Sequence, residues 1–441
     1  MTKQDSGGYR GAGLGMLSRY DISVGDNIKI ATEDGEMLGV LMPRYESASE
    51  DYIVIKLKSG YNTGIRIGKI KSITKLLKTE STPTPKAHEV TENKDLPKIA
   101  LISTGGTIAS KIDYRTGGVH AALSASELYA SVPELANYAS IDPEVLLSEY
   151  SENLKPEHWT MIAEKVAEKV RDGKYRGVVL SHGTDTMHYT SAALSFALQD
   201  LPIPVVLVGA QRSSDRPSSD AALNLLGATV FAAKSEYAGV FVAMHASTSD
   251  DAIACHVGTR VRKNHTSRRD AFESIDITPV ALVRNNGVEM QKSGIKLARR
   301  SEGNMLRAKT KFDGRVALLK YHPGFDPQLI EHVAKAGCKA IILEGTGLGH
   351  VSKECFPALK NAVDAGINVC MTSQCIWGRV RMTVYDTGRD LLDIGVIPLS
   401  DMISETATVK AMWTLANSSS EDFKKTMQEN FAGEISQSIP L

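Results

Sequence analysis

Two short segments concentrate the residues able to do chemistry. They are Thr104-Gly105-Gly106-Thr107-Ile108-Ala109 and Ser181-His182-Gly183-Thr184-Asp185-Thr186-Met187. Each follows an apolar run that reads as a buried strand: Lys98 to Ser103 before the first, Gly177 to Leu180 before the second. Hydroxyls and small residues therefore fall where parallel strands end, and open α/β sheets bind ligands in the crevice beyond those ends. Gly105 and Gly106 permit positive φ and close backbone approach, and Thr107 just past them can present its hydroxyl to a substrate carbonyl. Taken alone, this segment equally describes a tight strand-to-helix turn. A phosphate loop fits poorly, because no G-x-x-x-x-G-K-[ST] is present and no G-x-G-x-x-G follows a strand.

In the second segment Thr184 and Asp185 set a hydroxyl beside a carboxylate, which could polarise a water or hold an ammonium group. Thr184, Asp185 and Thr186 also suit the N-cap of a helix carrying Tyr189, Ala193 and Ala197. The two roles are compatible, because a helix terminus also offers free N–H groups to an oxyanion. A threonine hydroxyl is a weak nucleophile until a base or nearby charge activates it. Gly258 to Thr266 supplies Lys263 among Arg260, Arg262 and His265. A lysine kept neutral by burial and basic neighbours can accept a proton. The ordinary reading of Arg260, Arg262, Lys263, Arg268 and Arg269 is a solvated basic loop. His182 and His188 are six apart and His256 and His265 nine apart, neither of them a usual zinc spacing, so no metal site is expected. Gly345-Thr346-Gly347-Leu348-Gly349-His350 follows a strand and could form an anion nest or a plain connection.

The surrounding elements divide the chain. Residues 1–20 are polar and glycine-rich and are expected to be mobile and disordered. Residues 21–78 hold short alternating runs separated by turns, which predicts a small all-β barrel. Residues 79–97 are rich in proline, threonine and charge and read as a linker. From residue 98 the pattern becomes β-α-β, with a helix from Pro156 carrying Trp159, Ile162, Val166 and Val170 on one stripe. Strand-like Val205–Val208 and Gly239–Val242 follow at α/β spacing. Residues 98–310 therefore predict a doubly wound, mostly parallel sheet. A smaller α/β unit over 311–425 would use strands at 316–319, 340–343 and 367–370 and helices near 327–336 and 356–365, leaving a C-terminal tail at 426–441.

Lys plus Arg and Asp plus Glu number 51 each over 441 residues, so net charge points to neither nucleic acid nor membrane. The five cysteines are scattered and lack a C-x-x-C, which suits reduced thiols in the cytoplasm. No apolar run is long enough to span a bilayer, and no secretory core opens the chain. Locally, Tyr52 to Thr79 holds seven basic residues (Lys56, Lys58, Arg66, Lys69, Lys71, Lys75, Lys78) and no acidic one. This is either the solvated face of a barrel or a contact surface for a partner or RNA.

The two motifs, in this order and about 75 residues apart, resemble the bacterial-type L-asparaginase family. The likeness runs from about residue 97 to 425 and includes Lys263 with Thr266 and the Glu344–Gly347 turn. It implies two α/β domains with the site at the carboxyl ends of the first domain's strands. It also implies Thr107 as nucleophile, and Thr184, Asp185 and Lys263 as a second catalytic cluster. Tyr114 resembles the tyrosine of a lid, Ser151 the serine that binds the substrate α-carboxylate, and Asp185 the group holding its α-amino group. Glu152 stands where secreted asparaginases commonly carry glutamine, which leaves the choice between Gln and Asn open. The N-terminal extension resembles one branch, the archaeal-type glutamyl-tRNA(Gln) amidotransferase D subunits. That branch implies an ammonia-supplying amidohydrolase working with the E subunit of the same amidotransferase, as a homodimer core within a heterotetramer, with tRNA(Gln) held mainly by the partner. It implies no cofactor on this chain, with ATP and Mg2+ used by the partner. A free-standing cytoplasmic L-asparaginase is the alternative.

Overall fold

The computed structural model describes residues 7–44, 48–57, 62–76, 95–106, 110–112, 119–121, 132–213, 219–301 and 305–436. The N-terminal unit begins with helix α1 (Gly11–Arg19), followed by strands β1 (Asn27–Thr32), β2 (Gly35–Leu41), β3 (Tyr52–Leu57), β4 (Asn62–Arg66) and β5 (Ile70–Lys75). They form an antiparallel sheet in the order β4-β3-β2-β1-β5. Period-2 alternation turns Ile28, Ile30, Ile53, Ile55 and Ile73 to one buried face. Residues 7–20 depart from the expected mobile segment. Tyr9 and Leu17 join that core, and the Tyr9 hydroxyl accepts from Val54 N at 3.0 Å and donates to Met42 O at 2.9 Å. The glycines that suggested disorder hid a helix whose apolar side covers the sheet.

The expected basic surface is partly neutralised, because β1, β2 and their flanks bring acids to it. Lys69 lies 3.3 Å from Asp34 and Lys75 2.8 Å from Asp26. Lys58 and Lys78 lie outside the described residues, as does the linker from 79 to 94.

The second unit is a mixed sheet. Its parallel half comprises β6 (Lys98–Gly105), β7 (Ser140–Glu149), β8 (Gly177–Ser181), β9 (Pro204–Val208) and β10 (Tyr237–His245). Strand β11 (Ile253–Val257) joins β10 antiparallel. A short β12 (Val261–Lys263) then pairs with Phe272–Ser274 outside the sheet, before β13 (Ala281–Arg284) and β14 (Gly287–Met290) extend it. The order is β14-β13-β11-β10-β9-β8-β6-β7. Helices α2 (Pro156–Arg171) and α3 (Met187–Ala197) cover one face and α4 (Ala221–Lys234) the other. Alternate residues of one strand serve the two layers: Val178 and Leu180 face α2 and α3, and Val179 faces α4.

The third unit is a parallel sheet of β15 (Val316–Lys320), β16 (Ala340–Gly345), β17 (Asn368–Ser373) and β18 (Ile397–Pro398). Helices α5 (Gln328–Lys335), α6 (Phe356–Asp364) and α7 (Asp386–Ile394) pack on one side, and α8 (Ser404–Asn417) and α9 (Phe423–Gln428) on the other. Helix α8 also meets α3 through Val409 and Trp413 against Ala192, Ala193 and Phe196. Residues 426–436 are packed rather than a loose tail: Lys410 and Glu434 form an ion pair at 2.6 Å with both side chains fully buried.

Candidate active site

Parallel register places the two motifs on one rim. Ser103 of β6 sits opposite Ser181 of β8, which sits opposite Val208 of β9. The strand ends are tied by hydroxyls, since Thr104 Oγ1 donates to Ser181 O at 2.8 Å and Ser181 Oγ donates to Ser103 Oγ at 3.1 Å. Beyond them the chains nearly touch. Gly106 has φ of +80°, and a Cβ on it would lie 2.3 Å from Gly183 N. A Cβ on Gly183 would in turn lie 2.7 Å from Ser151 Cβ. Both glycines are therefore required by close backbone approach.

Lys263, at the end of β12, reaches this rim. Its Nζ donates to Thr184 Oγ1 and to Asp185 Oδ1, each at 2.8 Å. The lysine side chain is 9% exposed and the Asp185 side chain 66%, so the pair runs from the protein interior to open crevice. In its unprotonated form an amine so placed can accept the proton of the Thr184 hydroxyl, and the Asp185 carboxylate then stabilises the ammonium that results. The solvated-loop reading fails for Arg260, Arg262 and Lys263, whereas Arg268 is exposed as that reading expects. Arg260 is fully buried and donates to Asp401 Oδ2 and Asp401 O at 3.0 Å each and to Gly433 O at 2.8 Å. Arg262 Nε donates to Glu405 Oε1 at 2.6 Å. Arg268 and Arg269 pair with Asp270 and Asp250. The flanking arginines Arg260 and Arg262 thus clamp β12 to the third unit while Lys263 serves the rim.

Ser151 is buried beside Gly183, and its carbonyl accepts from Thr186 Oγ1 at 2.7 Å. Thr186 stands at the N-cap position of α3 but makes no side-chain cap bond, so its hydroxyl fixes the Ser151 segment instead. Glu152 is exposed at the surface. The structure thus brings together Gly106, Ser151, Thr184, Asp185 and Lys263, while Thr107 and Tyr114 lie outside the described residues.

Two buried imidazoles line the back of the rim. Burial pushes the His182 pKa down to about 4, opposed by its hydrogen bond to the Gly183 carbonyl. Burial lowers His188 to about 4 as well, with Glu405 opposing and Arg262 and Lys263 adding to the shift. Burial also raises the Tyr189 hydroxyl to about 12. All three are neutral around Lys263 at about pH 7.

Sequence reasoning missed Asp220. Its carboxylate accepts from Gln211 N, Arg212 N and Asn224 Nδ2 at 2.9–3.1 Å, tying the segment after β9 to the start of α4. Gly209 in that segment packs so closely that a Cβ would lie 2.8 Å from Thr184 Cγ2. The available signal was Asp220 and Asn224 four apart at a helix start after a serine-rich stretch. The Gly345–His350 segment is a closed turn: Thr346 and His350 form a bridge, and Thr346 Oγ1 donates to His350 O at 3.1 Å.

Among the described residues no group of three or more His, Cys, Asp or Glu is placed to hold a metal ion, and no helix is long and apolar enough to cross a membrane. All five cysteines are unpaired.

Comparison with known proteins matches each unit. The asparaginase N-terminal family matches residues 98–296, the glutaminase/asparaginase C-terminal domain 315–428, and the GatD N-terminal domain 22–76. A Pyrococcus furiosus protein, named as the D subunit of glutamyl-tRNA(Gln) amidotransferase, is 49% identical over 429 residues, covering 95% of this chain and 96% of its own. The chain belongs to the family of glutamyl-tRNA(Gln) amidotransferase D subunits. A relative of the same name from Methanopyrus kandleri is 45% identical over 436 residues, covering 97% of this chain and 94% of its own. Members of this family are amidotransferase subunits built on an asparaginase-like region. That region superposes on the thermostable L-asparaginase from Thermococcus kodakarensis with a TM-score of 0.68 at 34% identity, over 77% of this chain and 100% of the asparaginase. A probable cytoplasmic L-asparaginase from Campylobacter jejuni gives 0.63 at 26% identity, over 76% of this chain and all of its own.

Proposed function

We propose that the chain is the ammonia-generating subunit of a cytoplasmic tRNA-dependent amidotransferase that converts Glu-tRNA(Gln) to Gln-tRNA(Gln). Glutamine or asparagine binds with its α-amino group at Asp185 and its α-carboxylate near Ser151, with Glu152 flanking. Thr107 Oγ attacks the side-chain amide carbon, and the tetrahedral oxyanion is held by backbone N–H groups near Gly106 and Thr184. The C–N bond breaks and the nitrogen, taking the proton given up by the Thr107 hydroxyl, leaves as ammonia. Water, polarised by Thr184 with Lys263 and Asp185, then hydrolyses the ester to the free acid. Tyr114 belongs to the segment that covers Thr107 during the reaction. Ammonia passes to the partner E subunit, which uses ATP and Mg2+ to activate the tRNA-bound glutamate and holds most of the tRNA. Two copies of this chain form the core of the heterotetramer.

The observation that carries this reading is the bridge from Lys263 Nζ to Thr184 and Asp185 on the same rim as Gly106. Thr107→Ala and Lys263→Met should each lower ammonia release from either amide at least roughly a thousandfold, since members of such a unit fail together. A near-normal rate in either variant removes that residue from the mechanism. The second reading is a free-standing L-asparaginase, favoured by the superposition on two proteins of that name.

A further inference from the structure

A concave surface lies at the end of the main sheet away from the candidate active site. Lys98 opens β6, Arg171 ends α2, Arg176 immediately precedes β8, and Ile203 precedes β9. These residues, with Lys174 and Arg300, line a groove of about 790 Å3. They mark the amino ends of the parallel strands, whereas Gly106, Thr184 and Lys263 gather at the carboxyl ends. The groove is therefore no part of the amide site.

Its charge is one-sided. Five basic residues line it, and no acidic residue does among those described. Lys174 is answered from outside the groove by Asp172 at 2.6 Å. Arg300 is fixed from below, donating to the carbonyls of Ala232 and Ser235 at 2.9–3.0 Å and to that of Arg176. Burial pushes its pKa down to about 10, and the nearby Arg176 charge adds to the shift. Arg171 and Arg176 are exposed, and neither makes an ion pair or a side-chain hydrogen bond among the described residues. Two exposed guanidiniums beside a third that is rigidly held make a cationic surface with donors facing solvent. Planar guanidinium forks suit phosphate oxygens.

The length of the anion follows from what else the chain offers. The N-terminal unit presents a second set of exposed basic side chains, Arg66 and Lys71. Pro97, in the segment that leads from that unit into β6, itself lines the groove. Two separate basic surfaces on one chain fit an extended polyanion better than a single phosphate.

We propose that this groove, through Arg171 and Arg176, binds the phosphodiester backbone of RNA. The choice of RNA rests on the reading of the chain as part of a tRNA-dependent amidotransferase, and the contact adds to the one made by the partner subunit. The contact is sequence-independent and electrostatic, so it is read most directly as a salt dependence.

The test uses the full-length chain, fluorescently labelled unmodified tRNA as probe, and binding anisotropy between about 50 and 200 mM KCl, concentrations chosen for their leverage on counterion release. Arg171→Gln/Arg176→Gln should lower the slope of log affinity against log salt by roughly 1.4–1.8, about 0.7–0.9 per lost phosphate contact. Lys335→Gln, on the third unit, should leave the slope unchanged. Both variants should release ammonia from glutamine at the wild-type rate. An unchanged slope in the double variant overturns the proposal. So does a loss confined to a poly-glutamate probe, which would make the groove a seat for an acidic protein. Wild-type protein that binds tRNA yet releases no ammonia from either amide, even with the partner E subunit, ATP, Mg2+ and Glu-tRNA(Gln) added, would overturn the amidase reading, while a reduced slope would still support the groove.

Discussion

Lys263 shows how one side chain acquires a role from its neighbours. Its ammonium is nearly enclosed and held by Thr184 and Asp185, while Arg260 and Arg262 are each turned to a carboxylate of the third unit. Sequence made Thr184, Asp185 and Lys263 visible because hydroxyl, carboxylate and amine chemistry depends on residue type. It could not show that Arg260 is buried, because its partner Asp401 lies 141 residues away. Asp220 was hidden for the same reason: a carboxylate at a helix start looks like a cap until its loop partners are placed beside it. The buried histidines carry a pH consequence. His182, His188 and His256 are each lowered to about 4 by burial, from an ordinary 6.5. Between those values the unfolded chain binds more protons, so stability falls as pH drops below about 6.5. The loss should reach on the order of 1 kcal/mol per histidine at about pH 5.5. Urea midpoints measured from about pH 7.5 to 5 should decline over that window. A flat profile would mean that these imidazoles are not desolvated in solution.

At the scale of elements, β12 is a three-residue strand that works because both its faces are committed. Arg260 and Asp401 are fully buried at 3.0 Å, and Ser436 N also donates to Asp401. Burial alone would raise the Asp401 carboxyl, but the Arg260 charge and the Ser436 hydrogen bonds hold it below its ordinary value. Breaking such a pair strands one charge in the interior. Arg260→Met should cost about 3–5 kcal/mol and lower Tm, whereas Arg260→Met/Asp401→Leu should cost less than the single change. Equal loss in both variants would show that the arginine acts through its hydrogen bond to Gly433 rather than through charge. Helix boundaries in the third unit were legible at 327–336 and 356–365 because amphipathic stripes there are unambiguous. Helix α1 was not, because its packing partner is a sheet that sequence cannot assemble around it.

For the whole molecule, three units divide the labour. The second carries the candidate site, the third clamps β12, and the first matches the GatD N-terminal domain over residues 22–76. Fold class was legible from strand and helix periodicity, but the antiparallel extension of the main sheet was not, since β11, β13 and β14 are short and pair only through the β10 edge. Removing residues 1–96 should abolish tRNA amidation while amide hydrolysis persists. Amidation undiminished in the truncated chain would make the first unit dispensable and favour the free-standing asparaginase. The decisive measurement is ammonia release from glutamine and asparagine by the purified chain alone, then with the partner E subunit, ATP, Mg2+ and Glu-tRNA(Gln). Strong stimulation by the complete set is expected, with Gln-tRNA(Gln) formed alongside. Fast hydrolysis of asparagine by the chain alone, indifferent to every addition, would contradict an amidotransferase role.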